Sequence, residues 1–158
     1  MTYGLIWRKV FDLLSKLFFN LYLMRKDIEM PKVSGVYIAV VSEMGIDGKK
    51  IWNAYIVNDK SEPIENVFVA SKGYLKNLKG EESKSSILRH FYKVVSAKSS
   101  QKIEILIDDV LKLNNEYFVS FYCQNKLFDK RFVFLSETIK KENISLIPII
   151  QKQGIWIK

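Results

Sequence analysis

The stretch that most constrains the fold is residues 116–135, where two runs of aromatic and β-branched residues flank a polar step at residues 124–126. Such runs suit a pleated, half-buried surface, so the sequence predicts a β-hairpin. With Asn125 and Lys126 at the turn positions, alternate side chains separate into an apolar face and a mixed face. Apart from one lysine, the first face is apolar and consists of Tyr117, Val119, Phe121, Cys123, Phe128, Lys130, Phe132 and Phe134.

Further strands follow the same spacing of alternating runs and turns from residue 33 onward. They are predicted over residues 33–42, 51–58, 64–71 and 102–107, with two short ones at 147–150 and 155–157. The first is apolar on nearly both faces, which predicts a central strand, and Pro148 predicts an edge position. The chain is therefore expected to be all-β, an antiparallel β-sandwich (Ig-like or an open barrel) of about 7–8 strands.

The segments between these strands are less regular. Residues 72–84 are predicted to be a polar, lysine-rich loop. Ser85 or Ser86 caps a short helix running to about residue 93, or this stretch is an irregular crossover. Residues 108–115 are expected to form a turn region, and Ser136 to cap a helix of one or two turns.

Residues 3–24 have a helical period, with apolar side chains on one wide face and charged or polar ones opposite. The predicted organisation is an N-terminal amphipathic helix and linker over residues 1–32, followed by a single β-sandwich domain over residues 33–158. The helix positions expected to make contacts with a partner are Trp7, Phe11, Leu14, Phe18 and Leu21.

Three placements of this helix stay open: packing on the domain or a partner, peripheral membrane contact, or an extension ahead of the domain. A transmembrane span is not expected, because Asp12 and Lys16 would place charges in hydrocarbon. A signal peptide is not expected either, since an unbroken apolar core and a small-residue cleavage site are both missing.

The composition excludes several kinds of site. One cysteine and one histidine cannot form a structural zinc set, and no G-x-G-x-x-G or Walker-type loop is present. We therefore predict no metal, no cofactor and no catalytic residue. The single cysteine also rules out an intramolecular disulfide, which fits a reducing, cytoplasmic location.

A Cys–His dyad, with Cys123 as nucleophile and His90 as base, is the only specific catalytic hypothesis. Against it, Cys123 falls on the apolar hairpin face, where cysteine behaves as a small hydrophobe. His90 is expected to be exposed beside Arg89. Both positions favour structural roles.

Nucleic-acid binding is a second possibility, because the chain has a net charge of +8 and a concentration of lysines after residue 71. Lysines there can neutralise phosphates, and interleaved aromatic residues can stack bases on a β platform. No RRM, KH or cold-shock signature is present. The candidate contact residues are Lys72, Tyr74, Lys76, Lys79, Lys84 and Arg89.

Several segments resemble sequences of a known protein family. These segments are WNAYIVN, VFVASKGY, LRHF, LNNEYFVSFY, LFDKRFVFL and the closing IPIIQKQGIWIK. From about Met24 onward, the chain resembles a family of small uncharacterised bacterial proteins, some of which carry the name phenylalanyl-tRNA synthetase alpha subunit. None of the segments contains the arginine-bearing ATP motifs of a class II synthetase, so no catalytic residue is transferred. The resemblance implies a compact domain of unknown role and adds modestly to the RNA-binding alternative.

Three hypotheses on function follow, of which the sequence favours the first. The first is a non-catalytic domain that binds a protein partner, or a second copy of itself, through the N-terminal helix. The second is an RNA- or tRNA-associated accessory domain that uses the lysine-rich loop. The third is an enzyme with a centre at Cys123 or His90.

Overall fold

The structure is a computed structural model, and it describes residues 31–76, 80, 82–136 and 138–158. The helix predicted over residues 3–24 lies outside this part of the chain. Residues Lys32–Lys158 form one unit. Its strands are β1 Val36–Met44, β2 Lys50–Asn58, β3 Ile64–Lys76, β4 Glu82–Lys84, β5 Leu88–Val95, β6 Ser99–Leu106, β7 Asn114–Cys123, β8 Lys126–Phe134, β9 Ser145–Ile147 and β10 Lys152–Ile157. A short helix, α1 (Asp108–Leu111), and a 3₁₀ turn at Lys141–Asn143 complete the described elements.

The strands form two antiparallel sheets. The first sheet has the order β6-β2-β1-β10-β9. In the second sheet the order is β4-β3-β7-β8, and β5 also pairs with β3. The long strand β3 therefore has β7 on one side, with β5 and then β4 along the other.

Buried side chains from both sheets form one core. This is the layered arrangement of two sheets that pack face to face. Side chains on both faces of β1 are buried from Val36 to Val41, so its prediction as a central strand is confirmed. The position of β9 at the edge of the first sheet, just before Pro148, is also confirmed.

The hairpin of β7 and β8 turns one residue earlier than predicted. Its turn residues are Gln124 and Asn125, with φ of 50° and 59°, and Cys123 pairs with Lys126. A two-residue turn with two positive φ values matches the right-handed twist of the strands. The predicted faces are nevertheless correct, because the pairing moves by two residues along β8 and an even shift keeps every side chain on its face.

Other sequence expectations need correction. The structure has ten strands in its described part rather than about 7–8. Residues 88–95 form β5 instead of a short helix, and the lysine-rich loop at 72–84 contains the end of β3 and all of β4. In both places pairing with β3 decides the conformation, and this long-range pairing overrides the local pattern. The region from 108 begins with α1, and the helix expected after Ser136 is reduced to the 3₁₀ turn.

The outer face of the first sheet is the side that points away from the second sheet. The inner face of the first sheet is identified by Asn58 and Glu104, because their side chains form hydrogen bonds with the second sheet. Asn58 bonds to Val95, and Glu104 bonds to Ser71. A polar cluster on this outer face joins three strands. Its centre is Glu43, which accepts hydrogen bonds from Asn53 and Tyr55 and forms an ion pair with Lys152.

Candidate nucleic-acid interface

The outer face of the second sheet carries a group of exposed aromatic side chains, which we call the aromatic face. Phe68, Phe91, Phe118 and Tyr122 are 55%, 53%, 44% and 43% exposed, respectively. Their neighbours along the strands, such as Val67, point into the core and are buried. Isolated exposed apolar residues are ordinary in proteins, but a group of rings on one sheet face is not.

A local irregularity in β3 contributes to this arrangement. Residues three apart in a regular strand point to opposite faces, yet Ile64 and Val67 are both buried. Asn66, which lies between them, has a φ of 48°. The register between β3 and β7 shifts at the same place. Because an extra residue reverses the alternation of a strand, Phe68 points outward while Val67 remains in the core.

Strand pairing places Phe68, Phe91 and Phe118 in two adjacent rows, and Tyr122 lies in a separate row opposite Glu65. In one row Phe68 lies beside Phe91, with ring centroids 4.9 Å apart and planes tilted by 52°. The next row runs across the sheet in the order Arg89, Ala70, Phe118, Arg131. Ala70, between Phe118 and Arg89, carries only a methyl group, so the middle of this row holds no bulky side chain.

A cleft of about 490 Å³, which we call the basic cleft, adjoins the aromatic face beyond the row with Phe118. Its cationic side chains are those of Lys72, Lys84 and Arg131. Tyr74 also lines the cleft, and the Lys72 Nζ lies 5.8 Å from the centroid of its ring.

Two carboxylates partly neutralise these cations. Glu116 Oε1 lies 3.2 Å from the Lys72 Nζ, and its Oε2 lies 3.6 Å from Arg131 Nη1. Glu82 Oε2 lies 2.9 Å from the Lys84 Nζ. The three cationic side chains are 45–65% exposed, whereas Glu116 is largely buried beneath them. The cations therefore remain available to an anionic ligand.

The structure brings some of the predicted contact residues together. Lys72, Tyr74 and Lys84 line the basic cleft, and Arg89 lies in the row with Phe118. Lys76 is the last residue of β3, and Lys79 lies outside the described residues. The hairpin pattern placed Phe118 on the mixed face, and the structure confirms that position. The sequence prediction missed the outward position of Phe68, for which the alternation with Val67 and Val69 was the available signal.

The Cys–His dyad is not formed. Cys123 is buried, and His90 faces Val69, which itself faces Val119. Cys123 lies four residues beyond Val119, so ordinary strand dimensions separate it from His90 by roughly 15 Å. The expectation that His90 is exposed is also wrong, since its side chain is only 25% exposed and packs against Glu104.

A polar cluster between the sheets surrounds Glu104. The hydroxyl of Ser71 donates a hydrogen bond of 2.8 Å to Glu104 Oε2, and the His90 Nε2 lies 3.3 Å from the same oxygen. In a Ser–His–acid triad the imidazole lies between the serine and the acid. Here the carboxylate lies between them, so His90 does not activate Ser71.

Among the described residues, no group of three or more possible ligands could hold a metal ion. In the same part of the chain, every helix is too short or too polar to cross a bilayer. No protein-family model matches the chain, and no curated protein matches it.

Proposed function

We propose that the outer face of the second sheet binds single-stranded RNA. In this proposal the aromatic face stacks on bases, while Arg89, Arg131 and the lysines of the basic cleft contact phosphates. The observation that carries it is the exposure of four aromatic side chains on one face of an antiparallel sheet. Aromatic side chains on such a sheet are a common means of binding unpaired bases, because every base has a π face.

The charges around the rings favour a nucleic acid over an apolar protein surface. Phe118 pairs directly with Arg131, and Arg89 lies on the far side of Ala70. Guanidinium groups can contact phosphates and can also stack on bases. The net charge of +8 over the whole chain is consistent with an anionic ligand.

Two further inferences belong to this proposal. The sequence resemblance to proteins that carry a tRNA synthetase name adds weight to RNA as the ligand. A cytoplasmic location would give the domain access to RNA, and the free cysteine Cys123 is consistent with a reducing compartment.

The direct test is fluorescence anisotropy with a labelled oligouridine and the full chain, over a series of salt concentrations. Replacing both Phe68 and Phe118 by alanine should weaken binding at least tenfold, because a stacked base contributes about 1–3 kcal/mol per ring. The matched control is Leu146→Ala, which removes an exposed apolar side chain from β9 of the first sheet.

The salt series separates RNA from other ligands. If all four of the proposed cations contact phosphates, the logarithm of the association constant should fall against the logarithm of salt concentration with a slope of about −3. Unchanged affinity in the double variant would refute the proposal. A face that binds protein and not oligouridine would refute it as well.

A further inference from the structure

Ser120 of β7 lies within the aromatic face and has an outward-facing neighbour in each of four directions. Across the sheet, it lies between Phe68 of β3 and Asp129 of β8. Along β7, its outward neighbours are Phe118 and Tyr122. The small side chain of Ser120 is therefore bordered by three exposed aromatic residues and one carboxylate. We call these five residues the Ser120 subsite.

The carboxylate of Asp129 is available to a ligand. Neither a hydrogen bond nor an ion pair to Asp129 occurs in the part of the chain that the structure describes. Arg131, the next outward residue of β8, lies with its Nη1 3.6 Å from Glu116 instead. Asp129 is only partly buried, so solvent and a ligand can reach it. An ionised carboxylate accepts hydrogen bonds and donates none, so Asp129 offers two adjacent acceptor oxygens.

Guanine is the base whose hydrogen-bonding groups complement two adjacent acceptors. Its Watson–Crick edge presents two neighbouring donors, N1–H and the N2 amino group, and this edge is free in single-stranded RNA. Uracil, cytosine and adenine each place an acceptor beside the donor on the same edge, so a carboxylate accepts one hydrogen bond from them at most. A cationic ligand is disfavoured at this place, because Arg89 and Arg131 lie in the next row.

We infer that the Ser120 subsite binds a guanine base of single-stranded RNA, and that the Asp129 carboxylate accepts hydrogen bonds from N1–H and the N2 amino group. The base lies over Ser120 and against the neighbouring rings, with its Watson–Crick edge towards β8. Phe68 and Asp129 are two strands apart, which is about 10 Å and leaves room for one base between them. The inference rests on the proposed function, since it names the base that the aromatic face prefers.

The test is a competition experiment by fluorescence anisotropy, in which unlabelled RNA oligomers displace a labelled oligouridine from the full chain. One competitor is oligouridine, and the others, of equal length, carry a single central guanosine, inosine, adenosine or cytidine. The guanosine oligomer should bind about tenfold more tightly than oligouridine, because a bidentate contact discriminates between bases by about this factor. Inosine lacks the N2 amino group, so the inosine oligomer should lose most of this gain. The adenosine and cytidine oligomers should gain less than the guanosine oligomer.

The variant Asp129→Ala removes both acceptor oxygens from the Ser120 subsite. It should bind the guanosine oligomer and oligouridine with nearly equal affinity. The matched control is Asp108→Ala, which removes an exposed carboxylate from the start of α1, outside the aromatic face, and should keep the preference for guanosine. The inosine oligomer needs no variant, so the test stays decisive if Asp129→Ala does not fold.

The outcomes separate this inference from the proposed function. Equal affinity of the unaltered protein for the guanosine oligomer and oligouridine would overturn the inference and leave RNA binding intact. A guanosine preference that survives in Asp129→Ala, or an equal gain for the inosine oligomer, would overturn it as well. Absence of binding by every oligomer would refute the proposed function, and the inference with it.

Discussion

The outer faces of the two sheets differ, although both sheets contribute their inner faces to one core. On the first sheet the outward side chains of Ala39, Val41 and Val57 are buried, and the polar cluster around Glu43 joins three strands. On the second sheet the outward side chains of Phe68 and Phe118 are exposed. Similar strand patterns have thus produced one buried outer face and one open one.

The difference separates structural positions from candidate functional ones. A buried outward side chain contributes to stability through packing, so its removal should affect folding. An exposed aromatic side chain contributes little to folding, and its retention on a surface is more easily explained by a ligand. Changes to the first sheet should therefore lower stability, and changes to the aromatic face should lower binding.

The largest effect is expected for Gly154→Ala on β10. An added Cβ would lie 2.4 Å from the carbonyl oxygen of Val40 and 2.6 Å from the Ile147 Cδ1. Since backbone atoms cannot move aside easily, we expect the free energy of unfolding to fall by about 3 kcal/mol. Urea denaturation measures it, with Ser120→Ala on the second sheet as control. Equal stability of the two variants would contradict the packing assigned to β10.

A matched pair tests the two faces directly. Val41→Ala removes buried methyl groups from the outer face of the first sheet, and we expect a loss of about 2 kcal/mol in unfolding free energy. Phe118→Ala truncates an exposed ring on the second sheet and should cost less than about 1 kcal/mol. A larger loss of unfolding free energy for Phe118→Ala than for Val41→Ala would contradict the assignment of the structural role to the first sheet's outer face.

The cluster around Glu43 predicts a pH dependence. Burial alone would raise the pKa of Glu43, but hydrogen bonds from Lys152, Tyr55 and Asn53 outweigh it and hold the pKa below its usual 4.5. A lowered folded-state pKa stabilises the protein above the unfolded-state value, and the stabilisation is lost as the pH falls through the folded-state pKa.

The variant Glu43→Gln should therefore lose about 1–2 kcal/mol of stability near neutral pH, because charge-assisted hydrogen bonds disappear. The difference from the unaltered protein should shrink as the pH falls below 4.5. Urea denaturation at a series of pH values measures both quantities. A difference that stays constant into acid would show that the charge of Glu43 does not stabilise the first sheet.

The smallest effect on stability is expected for Lys84→Gln in the basic cleft. The Lys84 Nζ lies 2.9 Å from Glu82, but both side chains are exposed, so the loss should be below about 0.5 kcal/mol. If Lys84 contacts a phosphate, this variant should bind oligouridine with a smaller salt dependence. The slope of the logarithm of the association constant against the logarithm of salt concentration should become less negative by about 0.7. An unchanged slope would remove Lys84 from the binding surface.

Local patterns predicted part of this fold correctly. Six consecutive apolar residues from Val36 to Val41 indicate a strand that is buried on both faces, and β1 is such a strand. The faces of the β7–β8 hairpin were predictable because alternation survives an even shift in register. The position of the turn was not predictable, since Asn125 suits either of two neighbouring turn positions.

The rest depends on contacts between distant residues. The apolar residues of β5 are too few to distinguish a strand from a helix by their period, and the pairing with β3 decides the conformation. The aromatic face needs β5, β3 and β7 side by side, which no local pattern specifies. Glu104, Ser71 and His90 likewise come from three separate strands.

The most direct test of the stacking surface is an NMR titration of the full chain with unlabelled oligouridine, following assigned aromatic side-chain signals. We expect saturable shifts for Phe68 and Phe118, because ring currents from stacked bases act at close range. The buried rings of Phe132 and Phe134 should keep their signals and serve as internal controls. Saturable binding with unshifted Phe68 and Phe118 signals, or no binding at all, would contradict the assignment of this face to RNA.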